Sequence, residues 1–203
     1  MFFVGLDLGQ KRDFSAVAVV EREEKRLAWM PSMPERMRIR YLQRIPLGTS
    51  YMKVVEQVSE IVRHPMLEGR GRLVADATGV GAPVVDLLKA AHLPCSLTPV
   101  TITSGDRAHS QGDHWHVPKR DLLTNLLVLL EAGELRIPRK LGEAGALVRE
   151  LSSVEMRHRP GGVMRMGADG SGEHDDLVMA VALACWKAKR KENSFGTRRL
   201  PGI

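Results

Sequence analysis

Four aspartates stand at positions from which they could share one task. Asp7 closes the apolar run of Met1–Gly9 (MFFVGLDLG), Asp76 closes a second apolar run (RLVAD), and Asp175 and Asp176 open a long apolar stretch, DDLVMAVALACW. Each has an ordinary explanation taken singly. Asp-x-Gly is a common way to leave a strand, and an aspartate is a standard N-cap. Two adjacent acids following Glu173 and His174 exceed what capping needs, because like charges in one place raise each other's pKa values and cost stability. Divalent cations resolve that repulsion. A donor set made only of carboxylate oxygen, without thiolates, selects Mg²⁺ or Mn²⁺ over zinc. Two such ions roughly 3.5–4 Å apart activate a water and stabilise the leaving oxygen in phosphodiester cleavage.

That chemistry requires the elements to bring the acids to one place. Residues 2–6 are unbroken apolar, as in a strand covered on both faces, and Asp7 then lies at the carboxyl edge where open α/β sheets gather ligands. The polar turn GQKRD leads into Phe14–Glu21, a second buried strand, so the two pair as an antiparallel hairpin. A further strand is expected to begin at Arg26–Met30, and another over Arg38–Pro46, an edge strand whose alternation puts Arg38, Arg40 and Arg44 on one side. Ser50–Arg63 has helical period, with Ser50 as N-cap. Arg72–Asp76, reached through that helix, is expected to lie parallel to the first strand. If the two are neighbours, Asp7 and Asp76 stand side by side.

The remaining elements follow in order. Asp76-Ala-Thr-Gly-Val-Gly81 is a tight turn opening a helix at Pro83–Ala91; its glycines are read as sterically required rather than phosphate-binding, since no GxxxxGK[ST] occurs. Pro94–Thr103 is expected to be the last strand of the sheet, and 104–118 a polar loop. His114-x-His116 within it has metal-ligand character, but paired loop histidines are commonly incidental. Lys119–Ala132 is a buried helix, with Lys119 in its first turn, where the dipole disfavours a cation; a solvent-facing lysine is the plainer reading, and a role facing a phosphate or the acids the functional one. Leu141–Met156 is amphipathic. Around Pro160-Gly161-Gly162 a hairpin is expected, carrying Arg157, His158, Arg159 and Arg165, which suits a phosphate backbone as well as solvent. From Asp176 a helix with apolar or small residues on nearly every side must be packed against the sheet.

With 203 residues and 43% hydrophobic content, the chain can bury one sizeable core, assigned to residues 1–190, with 191–203 a basic, flexible tail. The net charge of +6 and pI near 9.6 favour an anionic partner, nucleic acid first. Cys95 and Cys185 have no metal-finger spacing and fit a reducing compartment. No apolar run is of bilayer-spanning length and no basic region precedes the N-terminal apolar run, so a soluble cytoplasmic protein without membrane attachment is expected.

Four segments, GLDLGQKRDFSAVAVVE, VADATGVGAPVVDLL, VPKRDLLTNLLVLLEAGEL and HDDLVMAVALACW, resemble in that order the nuclease domain of bacteriophage terminase large subunits, across nearly the whole chain. The resemblance implies an α/β, RNase H-like three-layer fold, with a mixed central sheet, an antiparallel hairpin edge and helices on both faces. It implies a two-metal-ion endonuclease that cuts concatemeric double-stranded DNA during genome packaging in the host cytoplasm. Its metal-binding acids match Asp7, Asp76 and one or both of Asp175 and Asp176, with Asp13 a further match; Lys119, Arg157, Arg159 and Arg165 are the candidate DNA contacts. A terminase ATPase domain or subunit, a small terminase subunit and a portal are the partners it implies; the motor's phosphate-binding loop has no counterpart in this sequence. A RuvC-like Holliday-junction resolvase is similar in fold and acid placement. An actin-like ATPase also begins with a D-x-G strand and hairpin but needs a second nucleotide-binding subdomain. A non-catalytic DNA-binding module is disfavoured because all three acidic stations are filled.

Overall fold

The computed structural model describes residues 1–9, 13–23, 36–79, 81–158, 164–167 and 174–190. The first apolar run is strand β1 (Phe2–Asp7), and the second is β2 (Ser15–Arg22), its antiparallel partner with Asp7 opposite Ala16. Strand β3 (Met37–Ile45) pairs antiparallel with β2; the strand expected at Arg26–Met30 lies outside the described residues. Helix α1 (Tyr51–Val62) starts at Ser50, whose side chain accepts from the Lys53 N–H, and leads to β4 (Gly71–Asp76). As the connection requires, β4 is parallel to β1 and hydrogen-bonded beside it, Leu6 standing opposite Ala75. Helix α2 (Gly81–Ala90) and β5 (Ser96–Thr103) follow, β5 lying parallel to β4.

Beyond β5 the chain departs from expectation. The segment read as a loop holds β6 (His109–Gln111) and β7 (His114–Pro118), so β5 is not the last strand. β7 runs parallel to β5, with β6 at the sheet's edge. Trp115 and Val117 turn into the core on alternate positions, but the intervening histidines hide that period in the sequence. Helix α3 (Lys119–Glu131) is followed by the two-residue strand β8 (Leu135–Arg136), parallel to the start of β3, so β3 is an edge strand only beyond Arg38. Helix α4 (Ala144–Ser153) is shorter than its amphipathic pattern. The expected hairpin forms as β9 (Glu155–His158) and β10 (Met164–Gly167), with Arg157 opposite Arg165. Its tip, with Arg159, and the tail from residue 191 lie outside the described residues. Helix α5 (Asp176–Lys189) closes the fold.

The sheet order among the described residues is β6-β7-β5-β4-β1-β2-β3-β8. Side-chain alternation divides the core in two. Leu6, Ala75, Val54, Val58, Val84 and Leu88 pack beneath α1 and α2, while Val74, Ala18, Leu126, Leu147 and most of α5 pack on the other face with α3 and α4. This is the expected three-layer α/β arrangement with a mixed sheet. α5 has apolar residues on every side because it is enclosed between the sheet and α3 and α4. It also sits unusually close to β1: a Cβ on Gly5 would lie 2.0 Å from the Ala180 carbonyl oxygen. Glycine at position 5 thus permits α5 to rest directly on the strand that carries Asp7.

β3 corrects one expectation about the arginines. Its register slips where Val19 and Val20 meet Tyr41 and Ile39, leaving Arg40 as a bulge residue. A bulge reverses the alternation beyond it. Arg38 therefore faces away from α5, whereas Arg44, paired with Ala16, is turned toward α4 and α5 rather than sharing a side with Arg38.

Candidate active site

Asp7 and Asp76 follow directly on the paired residues Leu6 and Ala75, so they occupy matched positions on adjacent parallel strands, which run about 4.8 Å apart. Leu6 and Ala75 point toward α1 and α2; their successors therefore point to the α5 face. Asp7 lies two residues beyond Gly5, about 6.6 Å along the strand. Asp176 lies four residues before Ala180, about 6 Å along the helix. With Ala180 seated on Gly5 and α5 antiparallel to β1, the start of α5 comes down over Asp7. Strand pairing, the α5 contact and helix rise bring three separated stretches of sequence to one edge.

The electrostatics record the same convergence. Burial drives the Asp7 carboxyl well above the usual carboxylate range, with the charges of Asp76, Asp176 and Asp175 adding to the rise and Lys119 opposing it. Asp176, 4% exposed, is pushed up to about 6 by burial first and then by Glu150, with His174 working against the shift. Its Oδ2 is buried without a hydrogen bond; the nearest cationic candidate is His174 Nδ1 at 3.7 Å. Asp76 is raised by burial and lowered by Thr78, whose N–H and Oγ1–H both donate to Oδ1, at 2.8 and 2.5 Å. Thr78 Oγ1 in turn accepts from the Ile102 N–H at 2.8 Å, tying the turn after β4 to β5. The turn has no room for a side chain at Gly81, where a Cβ would stand 2.2 Å from the Asp76 carbonyl oxygen.

Lys119, at the first position of α3, holds Asp175: Nζ to Oδ2 is 2.6 Å. Lys119 is therefore not the solvent-facing lysine that is the plainer reading of its place in the sequence; it faces the acids. Asp13 does not join the group. It is exposed, is absent from the charges acting on Asp7, and lines a 340 Å³ cavity with Gly9, Ser15 and Tyr51. Arg157 and Arg165 stand on the β9–β10 ribbon; β10 runs alongside α3, the helix that begins with Lys119. His114 and His116 lie on the sheet face opposite Trp115, stacked with each other and, through His116, with His109; His114 shares a hydrogen bond with Thr101 at 2.8 Å. Among the described residues no three His, Cys, Asp or Glu side chains converge as a ready-made metal cage.

Glu150 of α4 belongs to the same neighbourhood though nothing in the sequence marks it. It is 5% exposed, accepts the Val178 N–H at 3.0 Å, and forms an ion pair with Arg44. The Arg44 guanidinium lies over the Phe14 ring at 5.5 Å, and that ring meets His174 edge-on at 5.0 Å. One charged residue on an amphipathic helix carries no signal of burial. A buried acid could have been suspected only from the position of Glu150 beside Leu147 and Leu151.

No family model matches this chain. By sequence it is related to the large terminase subunits of Thermus phage G20c and Thermus virus P23-45, at 26% identity over 184 residues in each case. The match covers 91% of this chain and 31% of each relative, so the chain spans about a third of the length of the curated relatives it matches. The large terminase nuclease of thermophilic phage G20c, solved with bound magnesium, aligns with a TM-score of 0.63 at 24% identity, covering 92% of this chain and 81% of that one. The g2p (large terminase) nuclease domain of bacteriophage SPP1, solved with bound Mn, aligns with a TM-score of 0.57 at 14% identity, covering 92% and 86%. The fold is the RNase H-like fold of terminase nuclease domains.

Proposed function

We propose that this chain is a divalent-metal-dependent endonuclease of the viral terminase type, cutting concatemeric double-stranded DNA during genome packaging in the bacterial host cytoplasm. The observation that carries this reading is the convergence of Asp7, Asp76, Asp175 and Asp176 from β1, β4 and α5 at one sheet edge. Similarity to terminase nuclease domains, some solved with Mg or Mn, supports it.

The residues fit a hard cation. All four donors are carboxylates, and the two most strongly raised, Asp7 and Asp176, are strained as anions until positive charge arrives. Asp176 Oδ2 is a buried acceptor with no donor. Asp7, Asp76, Asp175 and Asp176 are the carboxylates that would hold Mg²⁺ or Mn²⁺, two ions in the reading proposed here. Ions held there would activate a water for attack on phosphorus and stabilise the leaving oxygen. The chain's own part is to fix the carboxylates. Thr78 orients Asp76 through two hydrogen bonds, and α5, seated on Gly5, sets the height of Asp176 above Asp7. Lys119 holds the Asp175 carboxylate and neutralises its charge beside the other acids. The pair of arginines on β9 and β10, together with Arg159, supplies backbone contacts to the duplex. The packaging motor, small terminase subunit and portal are the partners proposed for the assembled machine.

The test is cleavage of supercoiled, linear and four-way-junction DNA in Mg²⁺, Mn²⁺ or EDTA. Supercoiled and linear duplex are cut only with metal, and junctions gain no preference. Asp7→Asn abolishes cutting while leaving the circular dichroism spectrum and DNA binding largely unchanged. Undiminished cutting by pure Asp7→Asn protein rejects the assignment, and a strong junction preference moves it to a resolvase.

A further inference from the structure

The first turn of a helix leaves backbone N–H groups without partners, and an aspartate at the N-cap ordinarily accepts one of them. Asp175 occupies that position on α5 yet makes no capping hydrogen bond, because its carboxylate is engaged by Lys119. The acceptor comes instead from another helix: Glu150 Oε2 takes the Val178 N–H at 3.0 Å, three residues into the turn. Its other oxygen is held by Arg44, which the β3 bulge turns toward α4. The Phe14 ring backs Arg44 and abuts His174, immediately before the two acids.

We infer that Glu150, held by Arg44, is a positioning residue: it caps α5 from outside the helix, so that Asp175 is not needed as the cap and its carboxylate stays with Lys119 beside the other acids of the site. The inference rests on the nuclease reading for its consequence, but not for the contact itself. A buried carboxylate is a costly way to satisfy one N–H group unless the local cap is needed elsewhere. Asp175 is the residue so released. Partners that orient metal-binding groups typically alter metal affinity by about 10–100-fold when lost.

Two measurements on the full chain separate the contact from its consequence. The first is amide hydrogen exchange of metal-free protein. Glu150→Leu, which fills the space without an acceptor, speeds exchange at Val178 about tenfold or more and leaves Leu183–Trp186 unchanged. Glu150→Gln retains an acceptor oxygen and keeps Val178 protected. The second is calorimetric titration with MnCl₂. Glu150→Leu binds Mn²⁺ about 10–100-fold more weakly, and Glu150→Gln recovers most of the loss. Should Glu150→Leu fail to fold, Arg44→Leu is read in the same two assays, with the same direction expected. Equal Val178 exchange in wild type and the acceptor-less variant overturns the capping role. Altered exchange with unchanged Mn²⁺ affinity overturns the positioning role. If wild-type protein itself binds no Mn²⁺, the nuclease reading and the positioning role fall, and exchange still decides the cap.

Discussion

Asp176→Asn is expected to make the metal-free protein more stable at neutral pH. The wild-type carboxyl is raised from 3.8 to about 6, so ionising it inside the fold costs about 3 kcal/mol. Asparagine removes that cost. It also loses the favourable placement of a negative charge at a helix N-terminus, about 0.3–1 kcal/mol, leaving a net gain of about 2 kcal/mol. For a domain of this length each kcal/mol moves the midpoint by about 2–4 °C, so the variant should melt about 4–8 °C higher. The pH dependence has a definite sign. Below 3.8 the group is protonated in both folded and unfolded chains and the two proteins match. As pH rises from 3.8 to about 6 the unfolded chain ionises while the folded one keeps its proton, so the wild type loses stability that the variant keeps and the gap is fully open above about 6. Thermal melts in EDTA between pH 4 and 8 measure it. Mn²⁺ at 100 times its wild-type Kd stabilises wild type by about 2.7 kcal/mol and narrows the gap, reversing the order where the variant gains less than about 0.7 kcal/mol. A variant that melts at or below wild type in EDTA at pH 7.5 would refute the claim that Asp176 is ionised at a cost.

Gly5→Ala drives a methyl group into the Ala180 carbonyl and must lift α5 from β1, destabilising by about 3 kcal/mol or more in urea titration and disabling metal-dependent cutting; an unchanged midpoint would show that α5 is not seated there. Thr78→Val removes the hydroxyl shared by Asp76 and Ile102, for a loss of about 1–2 kcal/mol by the same titration and a further rise of the Asp76 carboxyl, read by carboxyl NMR titration. Arg190→Ala strips the guanidinium from between Trp115 and Trp186, 3.9 and 4.8 Å from their ring centres, and should lower stability by about 1 kcal/mol while leaving DNA cleavage at the wild-type rate.

Much of the site was legible because its signals are local. An apolar run that ends in aspartate identifies a strand end whatever else the chain does, and Phe2–Asp7 and Gly71–Asp76 are such strands. A helix on the way from one to the other implies a parallel direction by handedness and connection length, but that the two strands are hydrogen-bonded neighbours, and so that Asp7 and Asp76 stand side by side, was decided by the fold. The uniformly apolar stretch after Asp176 likewise had to be an enclosed helix. Other features were decided by packing between distant residues. The β6–β7 ribbon is concealed by histidines at alternating positions, and β8 is too short to have a period. The bulge at Arg40 leaves no mark in the sequence, yet it turns Arg44 toward a partner 106 residues away. Periodicity belongs to consecutive residues and shows which side of an element is buried. Which charge meets Glu150, and which group caps α5, depends on where folded elements come to rest against each other, and only the tertiary structure determines that.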